Sequence, residues 1–267
     1  MPDQAPIQQA AQWLWAERRA RRPFAPMPAP LAPRTVDEAY AMQAELHSLM
    51  TEVYGPVAGY KIALTTPVMQ QMVGFHAPIA GAILAGTVQS VPPVTLSRSD
   101  YVRLGVECEI AVQLGRALPA AQAPYRREQV ETAVAAIMPA FELVDDRQAD
   151  YAQLAAHVLT LIADNAWNAG IVLGIPLPDW RHVDLAAVCG VMRINGSVVG
   201  EGYGRDVMGH PIDALLWLVD MLTQQGKGLT PGMIVMTGSI VTTKFVNPGD
   251  TVDLWMNGLG QVRLSVV

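Results

Sequence analysis

Residues 105–115 read GVECEIAVQLG, and this stretch limits what the chain can fold into more than any other. Its apolar and β-branched residues predict a strand, in which residues two apart share a face. Val106, Cys108, Ile110, Val112 and Leu114 then form one apolar face, and Glu107 and Glu109 lie together on the other. PAFELVDDR, residues 139–147, repeats the oddity: Ala140, Glu142 and Val144 share one face, Phe141 and Leu143 the opposite one. A buried ionised carboxylate is costly unless a cation pairs with it. If the three glutamates face a common space, a hard divalent metal such as Mg2+ is the natural counter-ion, because the chain offers few bases that look buried. If instead they face water on an edge strand, they need no partner.

The chain around these strands can bury them. It has 267 residues, of which 51% are hydrophobic and 16% charged, enough for one large domain or two small ones. No apolar run reaches the roughly 18–20 residues of a membrane-spanning helix. A net charge of −6 with no compensating basic surface argues against nucleic acid as a partner. Two cysteines, Cys108 and Cys189, make neither a disulfide framework nor a zinc site, and a reducing, cytoplasmic setting is expected. The N-terminal stretch AAQWLWAERRARRPF is amphipathic and arginine-rich, as transit peptides are. Asp3 and Glu17 are acidic, however, and the first 40 residues lack serine. Arginines at a helix end also suit the negative end of its dipole, so a plain surface helix is expected.

Prolines at 23, 26, 28, 30 and 33 make the next segment extended, wrapping over the body of the protein. The chain therefore divides into a helix and proline-rich segment over 1–34 and a single domain over 35–267. Thr35 and Glu38 form a capping box ahead of Ala39, Met42, Leu46 and Leu49 at helical spacing. A second helix is expected over 128–138, stopped by Pro139, and a third opens at Pro211 and runs through IDALLWLVDMLTQQG. VMRINGSVV is a hairpin around Asn195-Gly196, and DTVDLWMNGLGQVRLSVV is another. Helices early, strands late and no regular βαβ alternation predict an α+β fold with a mixed, partly closed sheet and N-terminal helices.

Other residues invite a functional reading. Lys61 stands alone in the apolar segment VAGYKIALTT. It either snorkels at the surface, or it binds a substrate carboxylate or does acid–base work. Asp164-Asn165 in IADNAWNAGIVLG is either a turn or the lining of a polar site. The glycine-rich GEGYGRDVMG lacks GxGxxG spacing and a βαβ setting, so it is no nucleotide loop. There is no GxSxG elbow, and Ser239 has no histidine partner by motif.

GYKIALTT (59–66), ECEIAVQLGRALP (107–119), PAFELVDDR (139–147), IADNA (162–166), GHP (209–211) and VMTGSI with NPGDTV (235–252) follow one another in an order that resembles the fumarylacetoacetate hydrolase superfamily. The branch they resemble is that of the 2-oxopent-4-enoate hydratases and 4-oxalocrotonate decarboxylases of aromatic catabolism, and the likeness spans residues 35–267. It implies a β-roll and a metal-dependent lyase acting on a 2-oxo or 2-hydroxydienoic acid. A hydratase is expected first, then a decarboxylase, an acylpyruvate-type C–C hydrolase, or a non-catalytic partner subunit. It further implies one Mg2+ or Mn2+ held by Glu107, Glu109 and Glu142, and Lys61 as the active-site lysine. Thr65, Asp164, Asn165 and Ser239 would bind substrate. A homo-oligomer is expected, with a related pathway enzyme as a partner. Two positions depart from the hydratase pattern: Ile79 stands where an acid is common, and Trp167 where serine is. Both are expected to border the substrate and to make its pocket drier.

Overall fold

The computed structural model describes residues 4–90 and 93–267; Asp3 lies outside the described residues. Two helices come first, α1 (Gln4–Arg19) and α2 (Val36–Tyr54). They are followed by β1 (Val57–Ala63), α3 (Pro67–Met72), β2 (Ile79–Leu84), β3 (Val88–Gln89), β4 (Val94–Leu96) and β5 (Leu104–Leu114). The middle of the chain forms α4 (Arg127–Ala133), β6 (Val134–Asp145), α5 (Val158–Ala163) and β7 (Asn168–Leu173). Then come β8 (Cys189–Ile194), β9 (Ser197–Tyr203), α6 (Pro211–Gln224), β10 (Ile234–Phe245), β11 (Thr251–Met256) and β12 (Gly260–Val266).

The strands make a seven-stranded sheet, ordered β2-β1-β10-β5-β6-β7-β3, and a five-stranded one, ordered β4-β12-β11-β8-β9. Both are mixed. β1 runs parallel to β10, β3 to β7 and β4 to β12, while the other pairs are antiparallel. The larger sheet is strongly curled into a half-barrel, so the fold is the α+β arrangement expected. The main core fills the space between sheets and helices with the apolar face of β5, Val106, Cys108, Ile110, Val112 and Leu114, together with Phe141 and Leu143 of β6. A second core lies under α1, α2 and α5, around Leu14, Leu46 and Ile162.

Local signals explain most of the elements. Thr35 caps α2 by accepting from the Glu38 N–H at 3.1 Å, while the Glu38 carboxylate reaches past the cap to the Arg34 N–H at 2.8 Å. The hairpin of β8 and β9 turns on Asn195 and Gly196, both at positive φ (53° and 81°). Two expectations need correction. The helix expected over 128–138 ends at Ala133, and residues 134–145 form β6. A strand buried on both faces reads as a continuous apolar run, which periodicity cannot tell from a buried helix. Pro139 fits mid-strand because pairing with β7 begins only at Ala140. Its carbonyl still accepts from the Gly174 N–H at 2.9 Å.

The second correction concerns α1, which is more than a surface helix. Ile7, Ala10, Ala11 and Leu14 are buried, and Arg18 reaches the interior. The proline-rich segment does wrap over the body: the Phe24 N–H donates to the Arg147 carbonyl at 2.7 Å, and Met27 is buried. Among the described residues no helix is long and apolar enough to cross a membrane.

Candidate metal centre and active site

Alternation along β5 and register with β6 assemble the acidic centre. Glu107 lies directly opposite Glu142, and Glu109 opposite Ala140. Like charges facing each other across a strand pair are destabilising, yet these are kept. Glu109 and Glu142 are fully buried, and Glu107 is partly so. One ligand oxygen from each of the three lies within 4.8 Å of the others.

Each carboxylate is held by one oxygen. Glu107 Oε1 accepts from the Thr243 hydroxyl. Glu109 Oε2 accepts from the Gly238 N–H at 2.7 Å, and Glu142 Oε1 accepts from Asn168 Nδ2 at 3.0 Å. Gly238 can do this because β10 is irregular there and φ is 121°, with a Cβ excluded by Thr65 at 2.5 Å. The remaining buried oxygens, Glu109 Oε1 and Glu142 Oε2, have no hydrogen-bond partner. Buried polar atoms are nearly always paired, so two orphaned anionic oxygens beside a third carboxylate fit a divalent oxygen-loving cation such as Mg2+ or Mn2+.

Lys61 supplies one positive charge. Its Nζ is 3.0 Å from Glu142 Oε1, and the side chain is 2% exposed, which removes the surface-snorkel alternative. Two strands, β10 and β5, lie between β1 and β6 in the sheet order, a distance of roughly 14 Å if the sheet were flat; its curl brings the two side chains together. Burial pulls the Lys61 ammonium down, but Glu142, Glu107 and Glu109 outweigh this and leave its pKa raised. Burial first, then Glu142, raises Glu107, against the pull of Lys61 and Thr243. Glu109 is pushed well above the usual carboxylate range by burial, then by Glu142 and Glu107. A single ammonium does not satisfy three carboxylates.

A cavity of about 190 Å³ opens beside this cluster, and Lys61, Thr65, Glu107, Trp167 and Ser239 line it. Ile79, Asp164 and Asn165 do not. Ile79 is fully buried in β2 within the second core. Asp164 is fully buried between Arg147 and Arg18, with Arg18 Nη1 at 3.0 Å from its Oδ1. Asn165 mimics a strand partner for β2: its Oδ1 accepts from the Ala82 N–H at 2.7 Å and its Nδ2 donates to the Ala82 carbonyl at 2.9 Å. The IADN stretch is thus neither an ordinary turn nor a site lining but a clamp. It supports Asn165, Ala166 and Trp167, all at positive φ (55°, 45° and 58°), a run that non-glycine residues rarely adopt. Trp167 ends this run in the cavity wall, with Phe24 against it at 5.1 Å and Tyr151 at 6.1 Å.

Sequence reasoning missed Asn168, Thr243 and Asp206. Asn168 and Thr243 orient the glutamates, and Asp206 lines the cavity. Thr243 had a signal, since Ser239, Val241 and Thr243 alternate along β10. Asp206 lay in the glycine-rich loop read only for nucleotide spacing.

A curled mixed sheet that gathers three carboxylates and a buried ammonium at one cavity describes a class of carboxylate-centred enzyme folds. The chain belongs to the fumarylacetoacetate (FAA) hydrolase C-terminal family, whose model matches residues 63–267. It is 32% identical over 260 residues to a 2-keto-4-pentenoate hydratase of Paraburkholderia xenovorans, covering 96% of this chain and 93% of that one. It is 29% identical over 233 residues to a 4-oxalocrotonate decarboxylase of Pseudomonas putida, covering 87% and 86%. Its fold matches the 4-oxalocrotonate decarboxylase of Pseudomonas putida G7, solved with magnesium and adipate. The TM-score is 0.88 at 24% identity, over 100% of this chain and 99% of that one.

Proposed function

We propose that the protein is a divalent-metal-dependent lyase that hydrates a 2-hydroxy-2,4-dienoic acid, the enol of a 2-oxo acid. The observation that carries this reading is the pair of orphaned oxygens, Glu109 Oε1 and Glu142 Oε2, in a three-glutamate cluster beside Lys61. A chain covering nearly all of a 2-keto-4-pentenoate hydratase supports it. Glu107, Glu109 and Glu142 would hold Mg2+ or Mn2+, which supplies Lewis-acid stabilisation of negative charge on the oxygen at C2. The Lys61 ammonium, on the cavity wall, is placed to hold a substrate carboxylate. The hydroxyls of Thr65 and Ser239 line the same cavity and offer orienting hydrogen bonds. Hydration also needs a group that takes a proton from water. With Glu107 given to the metal, Asp206 is the other carboxylate lining the cavity among the described residues, and it takes that role.

Decarboxylation is the second reading, favoured by the likeness to 4-oxalocrotonate decarboxylases. Incubating the metal-loaded protein with 2-hydroxypenta-2,4-dienoate and with 4-oxalocrotonate separates the two: hydration consumes the dienoate enol absorbance without CO2, whereas decarboxylation releases CO2. If neither reaction occurs with Mg2+ and Mn2+ both supplied, the lyase reading is refuted. We also infer a cytoplasmic homo-oligomer that associates with a related pathway enzyme. Free Cys108 and Cys189 are in keeping with a reducing compartment, and sedimentation with and without cell extract tests the association.

A further inference from the structure

The cavity lining is of two chemical kinds. Lys61, Glu107, Ser239 and Thr243 belong to the glutamate cluster or adjoin it. Much of the remaining lining is apolar: Leu64, Met69, Met72, Val73, Leu161 and Trp167. These come from separate places in the chain. Met69 and Met72 lie on α3, which Thr66 caps by accepting from the Met69 N–H at 3.3 Å. Leu161 is on α5, and Trp167 is braced by Phe24 and Tyr151. Tyr151 adds no free polar tip to this apolar lining, because its hydroxyl donates to Asp146 Oδ2 at 3.1 Å. Trp167 Nε1 has no partner and is itself buried.

Charge is distributed as one-sidedly as polarity. Among the described residues the charged ones lining the cavity are Lys61, Glu107 and Asp206, and Lys61 is already paired with Glu142. Arginines on neighbouring segments do not line it: Arg103 pairs with Asp146, Arg205 stacks 4.0 Å from the Tyr203 ring centre, and Arg147, although its Nε and Nη1 are buried without a partner, is bound to Asp164 and lines a different pocket. A second carboxylate on the substrate would meet apolar side chains and the acid of Asp206, with no unpaired cation in the lining among the described residues. An unpaired charge in such surroundings is strongly disfavoured, whereas each buried methylene adds roughly three- to fourfold in affinity.

We infer that the substrate is a monocarboxylate whose end distal to the 2-oxo acid carries an uncharged alkyl or aryl group, and that dicarboxylates are rejected. The inference rests on the lyase reading for the head of the substrate and adds the chemistry of its tail. Met69, Met72, Leu161 and Trp167 are then the residues that set specificity.

Binding of unreactive 2-oxo acids tests this without relying on turnover. Calorimetric titration of the Mg2+-loaded, full-length protein with 2-oxobutanoate, 2-oxooctanoate and 2-oxosuberate compares a short monoacid, a long monoacid and a diacid of the same length. The expected result is 2-oxooctanoate bound at least 30-fold more tightly than 2-oxobutanoate, and 2-oxosuberate no more tightly than 2-oxobutanoate. Met72→Arg, at a half-exposed position on the wall, should narrow the gap between octanoate and suberate by tenfold or more. Suberate binding as tightly as octanoate, or no gain from chain length, overturns the inference and leaves the lyase reading standing. If octanoate is preferred but no dienoate is turned over, the tail assignment holds and the lyase reading fails. If none of the three acids binds, both fall.

Discussion

Glu107, Glu109 and Glu142 divide their work by oxygen atom, one held by the protein and the other left for a cation. Glu107→Gln, Glu109→Gln and Glu142→Gln should each weaken Mg2+ or Mn2+ binding by roughly tenfold or more, since even outer-sphere partners cost that much. Lys61→Met should leave the metal bound and lower substrate affinity or turnover. Metal titration of the four variants checks this, and equal loss of metal in all four would count against a separate role for Lys61. Asp206→Asn should lower hydration about a hundredfold while leaving metal affinity intact, as measured by dienoate consumption beside the same titration. His47 acts on stability instead. Its Nε2–H donates to Asn165 Oδ1 at 2.7 Å, and burial holds its pKa down to about 4. Between roughly 6.5, the unfolded value, and about 4, the unfolded chain takes up a proton that the native state refuses. Stability is therefore fully present above that window and falls as pH drops through it, by on the order of 3 kcal/mol. Denaturant melts from pH 7.5 to 4.5 should show this slope, reduced in His47→Gln.

Among elements, the left-handed turn at Asn165–Trp167 depends most on its neighbours. The Asn165 amide grips Ala82 of β2, and a Cβ on Gly81 would meet the Asn165 carbonyl at 2.7 Å. Asn165→Ala removes these bonds and orphans a buried N–H, so a loss of about 2–4 kcal/mol is expected. Because Trp167 rides on the same turn, substrate affinity should fall with stability. Ile79→Asp should not create a water-handling acid, although family likeness suggested an acid there. It would bury a carboxylate in the second core and cost about 4 kcal/mol or more, visible as a lowered melting temperature without gain in hydration. Neither role was legible from the chain alone. The backbone angles of Asn165 and the neighbours of Ile79 are set by β2 and α5, which lie far apart in sequence.

For the whole molecule, the curl of the large sheet assembles the site and the packing of α1 supports it. Arg18 of α1 reaches Asp164 and also donates to the Asn168 carbonyl at 2.8 Å, so the first helix supports the residue that orients Glu142. Stripping divalent metal should leave three mutually repelling carboxylates. At a metal concentration of about 100 times Kd, refilling should restore about 2.7 kcal/mol, and a melting temperature unchanged by EDTA would refute this. The strand character of 105–115, the apolar face of Val106 to Leu114, the hairpin at Asn195-Gly196, the cap at Thr35 and the helix start at Pro211 were determined by local sequence, because strand alternation, turn dihedrals and helix initiation depend on residues within a few positions of one another. So was the pairing of Glu107 with Glu109 on one face. That Glu142 sits opposite Glu107, that Lys61 reaches it from three strands away, that residues 134–145 are strand and not helix, and that Asp164 and Asn165 turn from the cavity into a clamp were decided only by the tertiary structure. These follow from sheet register, curl and burial, which arise from contacts between distant segments that no local pattern encodes.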